Sequence, residues 1–189
     1  MKPLLKPVTS FFAALFLLCG AVFPVFSADA SQPLQTISSL DVPRYMGTWF
    51  EIAKYPNRFQ RQCVANTSAE YSLQKDGTLK VLNRCQLASG EMDEAQGQAR
   101  QIGGLKSPKL EVRFAPAWLS WLPIVWGDYW VIDLDPEYQL VAVSEPSREY
   151  LWVLARTQQV DKARYDALLQ RLKAKGFDLN KLARSPQNN

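Results

Sequence analysis

Turn-forming residues divide the stretch from Gly47 to Arg156 into eight short segments with strand character, and this division restricts the fold more than any other feature. An Asp76-Gly77 pair separates the second segment from the third and is a strong signal for a β-hairpin. Because the connections are short and no helical periodicity interrupts the series, antiparallel neighbours are favoured, in an up-and-down barrel or a sandwich. The predicted strands cover residues 48–55, 64–74, 78–86, 92–102, 109–115, 128–134, 138–144 and 149–156.

One helix is predicted after the last strand. It begins at Asp161, which can cap a helix, and ends at Gly176. Between them, apolar residues recur at roughly helical spacing: Ala163, Leu168, Leu169 and Leu172. This apolar stripe is expected to pack on the outer wall of the β-structure. A short strand near residues 177–182 and a polar tail complete the prediction.

The first residues have the pattern of a secretory signal peptide. Two lysines precede an apolar run at residues 11–23, which is too short for a membrane-spanning helix of roughly 20 residues. Small residues precede two cleavage points, after Ser27 and after Ala30, and Ser27 is preferred because it lies closer to the apolar run. Residues 1–27 are therefore assigned to the signal peptide, and residues 28–189 to a single domain.

Cys19 offers a different route of export, because bacterial lipoproteins are cut directly before a cysteine that then carries lipid. Leu18 stands at the position where that processing prefers a small residue, and the apolar run continues beyond Cys19. Lipid anchoring at Cys19 is thus the less favoured alternative. The expected location is the periplasm or the outer-membrane surface.

The chain contains no histidine, which excludes Ser-His and Cys-His nucleophilic catalysis, His-based zinc sites and haem held by histidine. No metal site and no cofactor are predicted. The formal net charge is +4, with basic residues scattered among acidic ones, so nucleic acid is not an expected partner.

The predicted mature chain keeps two cysteines, Cys63 and Cys85, and export to an oxidising compartment favours a disulfide between them. Free thiols are the alternative. The Asp-Gly hairpin places Cys85 roughly opposite residues 67–68. A bridge to Cys63 therefore predicts that residues 56–63 form a loop and that the chain before residue 67 leaves regular pairing.

Three separated features resemble the signatures of the lipocalins. Gly47-Thr48-Trp49 opens the first strand, residues 133–138 with Asp135 join the sixth strand to the seventh, and Arg156 closes the eighth. The resemblance implies an eight-stranded antiparallel up-and-down β-barrel with one C-terminal helix on its outside. It also implies structural roles for Gly47, Trp49, Asp135 and Arg156, with the tryptophan closing the narrow end and the arginine across its ring.

Residues 40–184 are similar to the bacterial outer-membrane lipocalins and to apolipoprotein D. The segments RYMGTWFEIAKYPNRFQ, AEYSLQKDGTLKVLN and EYLWVLART carry this likeness. The second signature departs from the family pattern, with Leu-Asp-Pro in place of Thr-Asp-Tyr. The subfamily implies a carrier of fatty acids, lysophospholipids or similar amphiphiles in the bacterial cell envelope. Both a monomer and a homodimer remain open.

Strand alternation from Trp49 predicts the residues that face the barrel interior. Those expected to bind ligand are Ala53, Ala69, Tyr71, Val81, Asn83, Val112, Phe114, Tyr129, Val131, Tyr150 and Trp152. Small residues among the inward positions favour a ligand-sized cavity, although a barrel filled by its own side chains is the alternative. The protein is not expected to be an enzyme. The rival hypotheses are an enzyme with the inward Glu51 as base, and a module that docks on another envelope protein.

The connection between the fifth and sixth predicted strands, residues 115–127, carries three tryptophans and no charge. Counting from the closed end, this connection lies at the open mouth. Tryptophan favours the boundary of a lipid bilayer, so the loop is predicted to contact a membrane surface through Trp118, Leu119, Trp121, Leu122 and Trp126. The alternative is a lid folded over the pocket against Phe59.

Overall fold

The computed structural model describes residues 32–188, so the predicted signal peptide, its two cleavage points and Cys19 lie outside the described part. The helices are α1 (Val42–Tyr45) and α2 (Lys162–Ala174). The strands are β1 (Gly47–Lys54), β2 (Cys63–Leu73), β3 (Leu79–Leu87), β4 (Met92–Gln101), β5 (Lys109–Arg113), β6 (Gly127–Leu134), β7 (Leu140–Ser144), β8 (Leu151–Ala155) and β9 (Ala183–Arg184). All eight predicted strands are confirmed, with ends shifted by at most two residues.

Strands β1 to β8 form a closed antiparallel barrel. Each strand pairs with the next along the chain, and β1 pairs with β8 on one side and with β2 on the other. The β1–β2 ladder runs from Gly47 opposite Tyr71 to Phe50 opposite Ser68. This closure confirms the barrel and excludes the sandwich.

The predicted helix α2 packs on the outer wall of the barrel. The Asp161 side chain accepts a hydrogen bond from the Arg164 amide and caps its first turn. Leu168 and Leu172 are fully buried in a core that the helix shares with the outward residues of β6, β7 and β8. Arg171 donates two hydrogen bonds, of 2.7 and 2.9 Å, to the carboxylate of Asp133 on β6. The helix is therefore held by both apolar packing and a bidentate ion pair.

The strand predicted near residues 177–182 is wrong. Residues Leu179–Lys181 form a 3-10 turn, and the Asp178 side chain starts it by accepting a hydrogen bond from the Asn180 amide. The extended segment comes later, where β9 pairs with Ala53 and Lys54 of β1. A local turn-forming aspartate overrides the strand pattern here.

A β-bulge in β1 overturns the predicted inward placement of Ala53. The pairing with β8 shifts between Glu51 and Ala53, and a one-residue shift reverses which face the following side chains occupy. Ala53 is buried in the outer core, and Tyr55 packs edge-on against Phe177 on the same side. Alternation counted from Trp49 therefore holds through Glu51 and fails after it.

The disulfide between Cys63 and Cys85 is confirmed. Most of the loop predicted before Cys63 is also present, with a 3-10 turn at Arg58–Gln60. Cys63 itself, however, is the first residue of β2, and the strand reaches it through two register irregularities. Bulges accommodate the bridge because they change the local spacing of the two strands without ending the ladder.

The narrow end of the barrel is closed by residues of α1 and of the start of β1. The Trp49 ring is fully buried and its indole N–H donates a 2.8 Å hydrogen bond to the Tyr45 carbonyl. The Arg156 guanidinium lies 4.0 Å from the Trp49 ring centre. It also donates to the carbonyls of Arg44 and Thr48 at 2.8 and 2.9 Å and to that of Tyr138 at 3.3 Å.

The other two signature residues shape turns at the same end. Gly47 has a φ of +90°, a conformation that glycine adopts without strain, and a side chain there would point at the Arg156 guanidinium. The Asp135 carboxylate accepts hydrogen bonds from the amides of Gln139 and Leu140 and so holds the β6–β7 turn. The four signature residues therefore contribute to one structural feature, the closed end.

Candidate functional site

A cavity of about 540 Å³ occupies the barrel above the closed end. Its rim includes residues of the β1–β2, β5–β6 and β7–β8 connections, so the predicted open mouth lies at this end. Nine of the residues predicted to bind ligand line it: Ala69, Tyr71, Val81, Asn83, Val112, Phe114, Tyr129, Tyr150 and Trp152. Ala53 does not, because it faces the outer core, and Val131 is buried in the inner core without reaching the cavity.

Small residues on the inner face leave part of this space. Ala69 on β2 and Ala95 and Ala99 on β4 line the cavity on either side of β3. Gly97 has a different use, because a Cβ atom there would lie 2.8 Å from the Phe114 ring and 2.7 Å from the Arg113 carbonyl oxygen. The Phe114 ring therefore fills the space above Gly97, whereas the space above the three alanines remains part of the cavity.

Three tyrosines meet at the deep end of the cavity. The Tyr129 hydroxyl lies 2.7 Å from that of Tyr45 and 3.0 Å from that of Tyr71. Burial raises the pKa of Tyr71 to about 12 and the pKa values of Tyr45 and Tyr129 well above the usual 10. All three phenols are therefore protonated and neutral at physiological pH.

Sequence reasoning missed Tyr45, because it belongs to the single-turn helix α1 and not to a strand. A four-residue helix shows no periodicity that assigns its side chains to a face. Only the way α1 folds beneath the barrel brings Tyr45 to the cavity, where its ring contacts those of Trp49 and Tyr71 at 5.0 and 5.6 Å.

Glu51, the candidate base of the enzyme hypothesis, lines the cavity but is engaged by three side chains. Lys54 forms a 2.8 Å ion pair with it, the Gln60 amide donates a 2.7 Å hydrogen bond, and the Ser185 hydroxyl donates another. Gln60 in turn accepts a 2.9 Å hydrogen bond from the Trp152 indole N–H. The Glu51 carboxylate is therefore paired with a cation and hydrogen-bonded to two neighbouring side chains. It is not the unpaired carboxylate that the enzyme hypothesis requires.

The C-terminal tail is a second feature that the sequence did not reveal. β1 and β2 pair only near the closed end, and the tail lies between them farther up. The Ser185 amide bonds to the Ile52 carbonyl, and the Gln187 amide group donates to the carbonyls of Glu51 and Thr67 at 2.8 and 2.9 Å. The tail therefore completes the barrel wall beside Glu51.

The predicted membrane-contact loop, residues 115–127, is called the Trp-rich loop from here on. It divides into an exposed part and a packed part. Trp118 and Trp121 are 73% and 75% exposed, and Leu119 and Leu122 are partly buried. Trp126 differs from the prediction, because it is partly buried, stacks on Arg100 at 4.1 Å and donates a hydrogen bond to the Ser120 carbonyl. The Phe59 ring lies against Tyr150, with the ring centres 5.5 Å apart, and Trp118 and Trp121 are exposed.

Residues 40–187 match the family model of the lipocalin-like domain. The chain belongs to the lipocalin family. Proteins of this family are known for binding small hydrophobic ligands, and the relatives of this lipocalin are typically binding proteins without catalytic activity. Within residues 32–188, no helix is long and apolar enough to cross a membrane, and no cluster of side chains suited to holding a metal ion is found.

Sequence relatives of this lipocalin come from plants, bacteria and animals. It is 39% identical over 157 residues to temperature-induced lipocalin-1 of Arabidopsis thaliana, covering 82% of this chain and 83% of that protein. It is 33% identical over 171 residues to the outer membrane lipoprotein Blc of Vibrio cholerae, covering 89% and 95%. It is 31% identical over 192 residues to apolipoprotein D of Macaca fascicularis, covering 93% and 96%. The predicted likeness to the outer-membrane lipocalins and apolipoprotein D is therefore confirmed.

Solved structures show the same fold at low identity. Insecticyanin from the tobacco hornworm Manduca sexta superposes with a TM-score of 0.64 at 17% identity, covering 82% of this chain and 85% of that one. The two proteins thus share the barrel geometry although few of their residues are identical. What distinguishes this lipocalin is the set of side chains in its cavity and on its mouth loops.

Proposed function

We propose that this lipocalin binds fatty acids, lysophospholipids or similar amphiphiles in its barrel and transports or stores them in the bacterial cell envelope, without catalysing a reaction. The observation that carries the proposal is the cavity of about 540 Å³, walled by aliphatic and aromatic side chains and open at one end. Its size falls within the range of small-molecule sites, and apolar walls with a few polar groups suit a ligand with a long tail.

The polar groups at the rim favour a particular orientation. Arg58 lines the entrance and forms no salt bridge among the described residues, whereas Val81, Leu110 and Val112 line the interior. Three carboxylates, those of Asp93, Asp128 and Glu145, line the cavity as well. A zwitterionic head group therefore suits the mouth best, with its anionic part close to Arg58 and the acyl chain extending inward. Trp152 lines the cavity, so a bound acyl chain is expected to change its fluorescence.

Binding is tested by native mass spectrometry and titration calorimetry with palmitate and with a palmitoyl lysophospholipid. Val112→Trp places a large ring inside the cavity and is expected to weaken binding at least about tenfold. The matched control is Glu111→Trp, on the same strand but facing outward, where the substitution removes an ion pair with Arg100 outside the cavity. If both variants bind as the wild type does, the ligand does not occupy the barrel.

The exposed part of the Trp-rich loop supports contact with a bilayer during loading or release. Trp118 and Trp121 stand at the mouth beside Ile124, which is 90% exposed and also lines the cavity rim. Indole rings favour the boundary between head groups and acyl chains, so the loop rests there and directs the open end toward lipid.

Liposome flotation tests this contact. The double substitution Trp118→Ser and Trp121→Ser is expected to abolish vesicle binding while leaving the affinity for a soluble lysophospholipid nearly unchanged. Leu105→Ser is the control, because Leu105 is 92% exposed but belongs to the β4–β5 connection at the closed end. Vesicle binding that persists in the tryptophan variant, or that is equally lost with Leu105, would contradict this role.

An envelope location is supported by the relatives named outer membrane lipoproteins and by the signal-peptide pattern of residues 1–27. Fractionation of cells that express the full chain tests it. The protein is expected in the periplasmic or outer-membrane fraction, and removal of residues 1–27 is expected to leave it in the cytoplasm.

A further inference from the structure

The three phenols at the deep end of the cavity hold more hydrogen-bond donors than they use. Tyr45, Tyr71 and Tyr129 supply three hydroxyl protons, and the structure shows two contacts among them and no other hydrogen bond to these oxygens from residues 32–188. Two contacts engage two protons. One O–H donor therefore remains without a protein partner.

The residue that carries the spare proton depends on how the protons are arranged, but in each arrangement it is one of these three tyrosines. If the bonds run in sequence from Tyr45 to Tyr71, the spare proton is on Tyr71, and in the reverse direction it is on Tyr45. If both outer hydroxyls donate to the central one, it is on Tyr129. All three residues line the cavity, so every arrangement leaves the spare donor on a cavity-lining tyrosine, together with unused lone pairs.

Asn83 provides a second, independent sign of a polar partner. Its side-chain oxygen is buried and accepts no hydrogen bond, and the residue lines the cavity. Asn83 lies opposite Ala69, and Val81 lies opposite Tyr71 on the same two strands. Asn83 is therefore one step along the sheet from Tyr71, on the mouth side.

From these observations we infer that the deep end of the cavity is a polar subsite for a neutral hydroxyl or carbonyl oxygen carried at the inserted end of the ligand. This rests on the proposed function, in which the charged head stays at the mouth. A hydroxyl fits best, because it can accept from the spare phenol and donate to a free lone pair. A carboxylate does not fit, because Arg156 near this end is already bonded to three carbonyls outside the Trp49 plug.

The subsite changes which lipids the barrel prefers. In a purely apolar cavity, a buried hydroxyl that finds no partner lowers the affinity by roughly 5- to 150-fold. Here the phenols replace the water that the hydroxyl leaves. The lipocalin therefore accepts chains oxygenated at the far end that an apolar pocket of the same size would reject.

The test compares dodecanoic, tetradecanoic and hexadecanoic acids with their ω-hydroxy counterparts by titration calorimetry. For at least one chain length, the wild-type protein is expected to bind the hydroxy acid within about threefold of the parent acid or more tightly. The triple variant Tyr45→Phe, Tyr71→Phe, Tyr129→Phe keeps the ring shapes and removes every hydroxyl. In it, the ratio of the two dissociation constants is expected to rise at least about tenfold.

Tyr165→Phe is the matched control, because Tyr165 lies on the buried face of α2, in the outer core and away from the cavity. Its ratio of dissociation constants is expected to equal that of the wild type. If the wild type binds every parent acid but disfavours every hydroxy acid more than about tenfold, the subsite is refuted and the proposed function stands. An unchanged ratio in the triple variant refutes it equally. If none of the six acids binds the wild type, the subsite and the fatty-acid part of the proposed function are both overturned. The wild-type comparison alone decides the question if the triple variant does not fold.

Discussion

Replacing Arg156 tests the physical account of the closed end of the barrel. Its guanidinium contacts the Trp49 ring at 4.0 Å and donates to three carbonyls that belong to separate segments, those of Arg44, Thr48 and Tyr138. Arg156→Met keeps the apolar stem and removes every one of these interactions. Arg156→Lys keeps the charge but not the planar fork that reaches several acceptors at once.

The size of the effect follows from these contacts. Each hydrogen bond contributes a net of about 0.5–1.5 kcal/mol, and the cation–π contact contributes about 0.5–1 kcal/mol. The carbonyls can regain water in the variant because the site is partly exposed. The free energy of unfolding is therefore expected to fall by roughly 2–4 kcal/mol in Arg156→Met and by about half of that in Arg156→Lys.

The measurement is equilibrium urea unfolding of residues 28–189, followed by far-UV circular dichroism. Arg84→Met is the control, because Arg84 also binds two partners, Glu70 and Glu94, but on the exposed outer surface, where such pairs contribute little. A loss below about 1 kcal/mol in Arg156→Met would show that the contacts are not energetically coupled to the fold. A lysine variant as stable as the wild type would show that charge alone suffices.

Three further perturbations test other parts of the molecule. Replacing Cys63 and Cys85 together with alanine is expected to lower the free energy of unfolding by about 3 kcal/mol, the loop-closure value for a separation of 22 residues. Amide exchange should then increase at the mouth more than at the base, and a uniform increase would contradict this. Raising the pH from 10 to about 12 is expected to lower stability, because folded Tyr71 keeps its proton up to a pKa of about 12 whereas unfolded tyrosine loses it near 10. Urea unfolding across that pH range should show a shallower decline in Tyr71→Phe, and an identical decline would refute the assignment. Gln187→Ala is expected to speed amide exchange near Glu51, and full protection there would mean that the tail does not seal the seam.

The strands and the helix were predictable because their signals are local. The Asp76-Gly77 turn acts within four residues, and the cap at Asp161 acts within the first turn of α2. Neither depends on distant parts of the chain. Most of the cavity lining followed from the same local rule, since side chains alternate along a strand. The rule failed at Ala53 because a bulge between Glu51 and Ala53 moves the pattern by one residue.

By itself, the sequence determined that the chain forms eight antiparallel strands and one outer helix. Its resemblance to the lipocalin signatures identified Trp49 and Arg156 as the residues that close the narrow end. Only the tertiary structure brought Tyr45 to the two cavity tyrosines, paired Glu51 with Lys54 and Ser185, and laid Gln187 against Thr67, 120 residues away in the chain. The physical reason is that turns and alternation depend on near neighbours, whereas these contacts exist only after the barrel has closed and the tail has packed against it.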